Sequence, residues 1–359
     1  MSVNKEIYIN GRFLSHKMDG ISRFSLEICK QLKKRNLNFK IIVPTWLEYE
    51  NNEDFKIVKT GNLKSHFWEQ IDLQRFLKSQ GSPLLVNFSG LGPIFYKNQV
   101  ITIHDLSFYA NKKWFSKTYT FFYRNATPIL ARNAIKILSV SNFSKNEIVK
   151  YLKVSEKKIE VIYNAVSDTI NPSRNNEIST SNINYILDYK YILAVCSIDP
   201  RKNLQRLIDS FSELNLPDIK LVLVGKKSNH FNVKLKSDSN NIIFAGFVSD
   251  FELAMLYDNC DFFIYPSLYE GFGIPPLEAM YKESATIVSD IPSLREVCAD
   301  AAIYVNPYDT ESIKKGILKL IDNSVLKEEM RIKGKARSTF FKWEDSGEKV
   351  YNLIKNIAV

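Results

Sequence analysis

The stretch Asp261-Phe262-Phe263-Ile264-Tyr265-Pro266-Ser267-Leu268-Tyr269-Glu270-Gly271-Phe272-Gly273-Ile274-Pro275-Pro276-Leu277-Glu278-Ala279-Met280 decides how the chain is read. Its apolar opening has the length and composition of a buried strand end. Gly271 and Gly273 free the backbone for a turn, and Pro275-Pro276 stiffens the chain beyond it. Pro276 suits the first position of a helix that continues through Leu277-Glu278-Ala279-Met280. Such a junction presents free N–H groups and the positive end of a helix dipole to an anion. Glu270 and Glu278 flank the turn, and both can accept hydrogen bonds from hydroxyls across one crevice. A sugar and a ribose joined by a diphosphate offer that mixture of groups. Either glutamate alone would read as an ordinary feature of a strand–helix junction.

The bulk of the chain sets the frame. With 359 residues, 45% apolar and 25% charged, it is too long for one typical core, so two domains are expected. No run reaches the roughly 20 apolar residues of a membrane span. The N-terminus carries no signal-peptide core, and a cytoplasmic protein is expected. Cys29, Cys196, Cys260 and Cys298 are scattered without metal-ligand spacing and read as reduced core thiols. The net charge of +10 is concentrated in residues 1–170, with 26 Lys/Arg against 14 Asp/Glu; the remainder holds 23 against 25. A basic half suits nucleic acid, an anionic membrane surface or an acceptor bearing a lipid diphosphate; it equally suits a solvated Lys-rich surface.

Upstream, strands alternate with helices. Residues 6–10 form a first strand, Gly11 to Ser22 a loop, and Arg23 to Leu32 an amphipathic helix. This is the opening of a doubly wound fold, without the three spaced glycines of a dinucleotide site. Strands are expected at 39–44, 57–59 and 83–88, with a helical pattern over 62–80. Val100 to Ile103 is a buried strand that ends in His104-Asp105, where Asp105 can cap the next segment. Residues 111–134 interleave Lys112, Lys113, Lys117, Arg124 and Arg132 with aromatics. That pattern fits nucleic-acid stacking, a membrane interface, or a helix turning its aromatics inward. After a strand over 135–141, Ser144 and Glu147 have capping-box spacing.

Residues 167–186, rich in Asn, Ser and Thr, read as a linker. A second α/β set begins at the strand 191–196. Its loop carries Arg201-Lys202 just before a helix over 204–214, so two cations and a helix dipole suit a diphosphate. An exposed Arg-Lys pair is otherwise ordinary surface. Further strands are expected at 220–225, 242–249 and 285–289. Ser249 and Glu252 form a capping box before a helix over 250–258, and helices close the chain at 310–322, 324–340 and 345–357.

The run Glu270-Gly-Phe-Gly-Ile-Pro-Pro-Leu-Glu278-Ala-Met resembles the Glu-seven-residues-Glu signature of the family-four retaining glycosyltransferases, and the resemblance covers nearly the whole chain. It implies an α/β protein of GT-B type, two Rossmann-like domains facing across a cleft. An acceptor domain would span 1–170 and a donor domain 187–344, with the last helix, 345–359, packing back onto the first. The implied activity is hexose transfer from a nucleotide-diphosphate sugar with retention, onto a lipid-linked or oligosaccharide acceptor of a bacterial surface polysaccharide. The version of the motif, with Thr102 to Leu106, is most similar to mannosyltransferases, so GDP-mannose is the first expected donor and a UDP-hexose the next.

By the same resemblance, His104 contacts the transferred sugar, and Glu270 holds sugar hydroxyls. Glu278 holds the ribose, and Lys202 and Arg201 hold the diphosphate. Gly271, Phe272, Gly273 and Ile274 supply the turn, and Phe247 and Val248 lie along the base. Gly20 and Arg23 belong to the loop facing the phosphate and the acceptor. Ala165 stands where the family usually has glycine, and Cys196-Ser197 stands where many members have Gly-Arg. No Asp-x-Asp pair occurs, so neither a metal nor another cofactor is expected. No nucleic acid partner is expected, whereas contact of the basic half with the inner face of an anionic membrane is. A nucleotide-sugar epimerase of the same fold and a non-catalytic nucleotide-sugar-binding module are the alternatives.

Overall fold

The computed structural model describes all residues except 1–5, 16–18, 50–52, 171–182, 226–234, 237–238 and 359. The chain divides into two compact α/β units. The first takes in Met1–Tyr109, Lys117–Asn164 and Lys342–Val359; the second takes in Ala110–Ser116 and Ala165–Phe341.

In the first unit seven parallel strands form one sheet: β1 (Ile7–Asn10), β2 (Lys40–Val43), β3 (Ile57–Lys59), β4 (Leu84–Asn87), β5 (Gln99–Ile103), β6 (Lys136–Ser139) and β7 (Ile159–Val161). The order is β3-β2-β1-β4-β5-β6-β7. The central strands are covered on both faces, which is why Ile41-Ile42 and Val100-Ile101 read as unbroken apolar runs. The order reverses between β1 and β4, the place where such sheets open a crevice at their C-terminal ends.

The second unit has six parallel strands, β8 (Lys190–Val195), β9 (Ile219–Val224), β10 (Ile242–Gly246), β11 (Phe262–Tyr265), β12 (Thr286–Ser289) and β13 (Ile303–Val305), ordered β10-β9-β8-β11-β12-β13. Its reversal lies between β8 and β11, the two strands that lead into Arg201-Lys202 and into Glu270. Strand β13 was not expected; it is three residues long and too short for a periodicity to register.

Several local expectations change. The helix after β1 spans Gly20–Lys34 and is capped by Asp19, whose carboxylate accepts from the Ser22 amide at 2.8 Å. Gly20 is therefore the first helical residue, and Arg23 lies in the first turn. The rest of the expected loop includes a 3-10 turn at Gly11–Ser15, while residues 16–18 lie outside the described residues. The pattern over 62–80 is helical but switches to π geometry over Trp68–Leu73. The helix after β6, Asn142–Leu152, is capped by Ser141, which accepts from the Ser144 amide at 2.9 Å. The Ser144/Glu147 capping box is thus displaced by a cap three residues earlier, and the Ser144 hydroxyl instead donates to the His104 carbonyl at 3.0 Å. Ser249 and Glu252 do form the reciprocal box. Of the expected linker, 171–182 lies outside the described residues, and Asn184–Leu187 is a short helix.

The last helix, Trp343–Ala358, packs against Gly20–Lys34 in the first unit. Trp343, Val350 and Ile354 are buried there, with Trp343 edge-on to Phe24 at 6.0 Å. Gly347 is required at this crossing, because a Cβ would stand 2.3 Å from the Gln31 Cβ. Ala110–Ser116 runs the other way: Trp114 is buried in the second unit with its ring 6.2 Å from Tyr269. The basic–aromatic stretch 111–134 is consequently not one surface. Its Trp is packed, while Phe121 and Phe122 of the Lys117–Asn133 helix are exposed.

Candidate functional site

In the second unit, β8 leads to a 3-10 turn, Pro200–Lys202, before the Leu204–Glu213 helix, and β11 leads to the glutamate motif. The two loops are tied by the Leu268 amide, which donates to the Arg201 carbonyl at 2.8 Å. This brings Lys202 and Glu270, distant in sequence, to a buried ion pair with Nζ 2.6 Å from Oε1. Lys202 also donates to the Tyr265 hydroxyl at 2.9 Å. Each member of the pair retains 7% exposure, so both are held by the fold yet reachable from one side. Burial pushes the Glu270 pKa up, but Lys202 and then Arg201 outweigh it and hold the group below the ordinary carboxylate range. Burial, reinforced by Glu270, drives Tyr265 far the other way, so its phenol stays protonated.

Arg201 stands beside Asp199. Asp199 accepts from its backbone amide at 3.0 Å and lies 3.8 Å from its guanidinium. Ser197, at the place where the resemblance would put a second cation, donates to Asp199 Oδ2 at 2.8 Å. Cys196 before it is buried, and burial pushes its thiol up to about 12. It contributes packing.

The turn itself depends on Gly273, at φ +114°, where a Cβ would also meet the Leu294 side chain at 2.5 Å. The helix begins at Ile274, two residues before the expected Pro276, so both prolines occupy its first turn, where missing N–H groups cost no helix bonds. Glu278, inside this helix, is buried and accepts from the Tyr257 hydroxyl at 3.2 Å. The two glutamates thus have different partners, Lys202 for one and Tyr257 for the other. Phe272 is buried edge-on to Phe341 at 5.4 Å, a packing contact.

Beside these loops an apolar cavity of about 240 Å³ opens at the ends of β8, β9 and β10, lined by Cys196, Leu204, Leu223, Gly225, Phe244 and Phe247 among others. Phe247 is 70% exposed and offers a ring face, whereas Val248 is buried and is not among the lining residues. Gly225, at φ +146°, permits the close approach of β9 to β8: a Cβ there would fall 1.8 Å from the Cys196 carbonyl oxygen.

In the first unit, His104 sits at the end of β5. Its Nε2 is 2.8 Å from the Phe88 carbonyl, to which it donates, leaving Nδ1 as an acceptor. Phe24 packs edge-on to the ring at 5.1 Å. Burial lowers the His104 pKa against the opposing effects of that carbonyl, Asp105 and Asp19, which favours neutral imidazole. Asp105 accepts from the Ser107 amide at 2.9 Å, the capping role expected of it. Gly20 and Arg23 belong to the helix that carries Phe24.

Sequence reasoning missed Tyr257 and Tyr265 as partners of the two glutamates. Both sit in apolar runs that read only as core. It also missed Arg12, His66 and Glu69, which converge at the ends of β1 and β4 from segments with no motif. Among the described residues, no group of three or more His, Cys, Asp or Glu side chains is placed to hold a metal ion.

Two family models match the chain: the Glycosyltransferase Family 4 model over residues 18–169 and the Glycosyl transferases group 1 model over 177–339. O-antigen chain mannosyltransferase B of Escherichia coli is 26% identical over 370 residues, 95% of this chain and 97% of that protein. O-antigen chain mannosyltransferase RfbU of Salmonella typhimurium is 33% identical over 62% of this chain and 60% of its own length. Anabaena Alr3699/HepE, solved in complex with UDP-glucose, superposes with a TM-score of 0.76 at 16% identity, covering 98% of this chain and all of that one. With each α/β unit matched by its own half of the family description, the chain belongs to the family 4, group 1 glycosyltransferases and has their GT-B fold.

Proposed function

We propose that the protein transfers a hexose, mannose in the first instance, from a nucleotide-diphosphate sugar to a lipid-linked or oligosaccharide acceptor in bacterial surface-polysaccharide synthesis, with retention at the anomeric carbon and without a metal ion. The buried Lys202–Glu270 pair, with Arg201 on the same loop and an apolar cavity alongside, carries this reading. The cavity, with the exposed Phe247 ring, suits a flat base. Lys202 and Arg201 face the negative charge that develops on the departing diphosphate, where preorganised positive charge is the largest catalytic contribution. Supplying that charge from side chains makes a bridging ion unnecessary. Glu270, kept ionised by those cations, accepts from sugar hydroxyls and fixes the sugar's orientation. Glu278 takes the ribose hydroxyls, with Tyr257 holding its second oxygen. His104 offers a neutral Nδ1 to a hydroxyl near the reacting carbon. The leaving phosphate takes the proton of the attacking acceptor hydroxyl.

The identity of the relatives favours a mannosyl donor. A panel of GDP-mannose, UDP-glucose and UDP-galactose, scored by protection against thermal unfolding and by nucleotide release, tests this. GDP-mannose should give the largest shift. A chain that is protected by no donor and releases no nucleotide is not a transferase. Among the described residues, no helix is long and apolar enough to cross a membrane. We further propose that the exposed Phe121 and Phe122, together with the basic first half, rest on an anionic bilayer where a lipid-linked acceptor resides.

A further inference from the structure

The loop after β8 and the end of β11 meet at one nitrogen. An ammonium carries three N–H groups and no lone pair, so a buried lysine has three donors to place. Among the described residues, Lys202 Nζ meets two acceptors, Glu270 Oε1 at 2.6 Å and the Tyr265 hydroxyl at 2.9 Å. The two differ in kind. Glu270 is ionised and offsets the lysine charge. Tyr265 is 1% exposed and keeps its proton, because burial and then the neighbouring carboxylate both disfavour a phenolate. Its oxygen therefore takes a hydrogen bond from Lys202 without cancelling any of the charge.

That second bond has a geometric consequence. An ammonium held by one acceptor can still turn about that bond, and its flexible stem can follow. Held by two acceptors, it has two tetrahedral N–H directions fixed, and the third is fixed with them. Lys202 retains 7% exposure, through which the third N–H can reach a ligand. The tyrosine is a rigid support. It ends β11, an interior strand of the second sheet, pairs in register with Val288 of β12, and stacks its ring on Phe263 at 6.1 Å. A phenyl ring would fill the same space in the apolar run Phe262-Phe263-Ile264-Tyr265, but would offer Lys202 no oxygen.

We propose that Tyr265 is a positioning residue of the transfer. It touches no part of the donor. By taking one N–H of Lys202 on a neutral oxygen, it aims the remaining N–H at the diphosphate oxygen that becomes negative as the sugar leaves. A donor aimed where charge develops strengthens its bond in the transition state, so it raises kcat more than donor affinity. The proposal rests on the transferase reading.

The test compares Tyr265→Phe with Tyr191→Phe in the full chain, following nucleotide release from the best donor of the panel. Tyr191 is an equally buried tyrosine of the same sheet, whose hydroxyl donates instead to the Leu256 carbonyl at 2.9 Å. Tyr265→Phe keeps the ring and removes one acceptor. It should lower kcat about tenfold, the worth of one well-placed hydrogen bond. Donor KM should stay within about twofold of the parent, since Lys202 keeps its charge. Protection by GDP against thermal unfolding should likewise match the parent. Tyr191→Phe should lower Tm and leave kcat as in the parent. Parental kcat in Tyr265→Phe overturns the role, as does a loss that falls on donor KM and not on kcat. An equal loss of kcat in Tyr191→Phe also overturns it, because the effect is then that of a loosened sheet. A parent that releases nucleotide from no donor refutes the transferase reading instead.

Discussion

Lys202 and Glu270 are each other's main compensation for burial, so removing one charge strands the other. Lys202→Met should destabilise the second unit by about 3–5 kcal/mol in urea unfolding. The double variant Lys202→Met/Glu270→Leu should recover most of that stability, because well-packed apolar pairs often match a buried ion pair. Neither should turn over donor. For the same reason Glu270→Gln, which keeps an acceptor for Lys202, tests catalysis more cleanly than Glu270→Ala. The pH dependence has a defined sign. Glu270 titrates below its ordinary value in the fold, so its contribution is complete above about pH 4.3 and is lost as pH falls through the depressed pKa. His104 is also lowered. As a base it stabilises the fold above its ordinary value of about 6.5 and loses that contribution as pH falls below it. His104→Gln should flatten the stability profile between pH 7 and 5, and Glu270→Gln should flatten it only below about pH 4.3.

At the scale of elements, the strand ends around the cavity make unequal demands on their glycines. Gly246, at φ +69°, has open space where a Cβ would stand, so Gly246→Ala should cost only about 1 kcal/mol of left-handed strain. Gly225→Ala would drive a methyl into the Cys196 carbonyl and force β9 from β8; about 3 kcal/mol or more should be lost. Donor protection in thermal unfolding should fall with it. The elements themselves were legible where side-chain period and turn chemistry agree. The β11–glycine turn–helix junction and the Ser249 cap are short-range events written in neighbouring residues. The Ser141 cap was misplaced because Ser144 has the same chemistry three residues on, and only the actual helix start separates them. The Lys202–Glu270 contact and the convergence of Arg12 with His66 and Glu69 were not legible, since each joins distant segments whose meeting depends on strand order.

For the whole molecule, the uneven charge falls on two units, each built on its own sheet. The units are stitched by exchanged segments, Ala110–Ser116 in one direction and Lys342–Val359 in the other. Local periodicity shows that a helix is amphipathic but not which unit it covers, so Trp114 read as part of a surface stretch with its sequence neighbours. Deleting residues 343–359 should therefore damage the end of the molecule that is far from the cut in sequence. Trp343, Val350 and Ile354 alone bury side chains worth about 1.5–3 kcal/mol each, a large share of a domain's usual 5–15 kcal/mol. Limited proteolysis of the truncated chain should digest the first unit while sparing the second.

The packing of Trp343–Ala358 on Gly20–Lys34 also dictates a schedule. A ribosome makes the amino-terminal sheet first, yet the helix that covers it emerges last. The first-made half must wait, with its Phe24 flank uncovered, for the roughly 180 residues that separate Asn164 from Trp343. Chains released at Lys342 should thus display a finished carboxyl-terminal lobe beside an unfinished amino-terminal one, the reverse of the order in which they were synthesised.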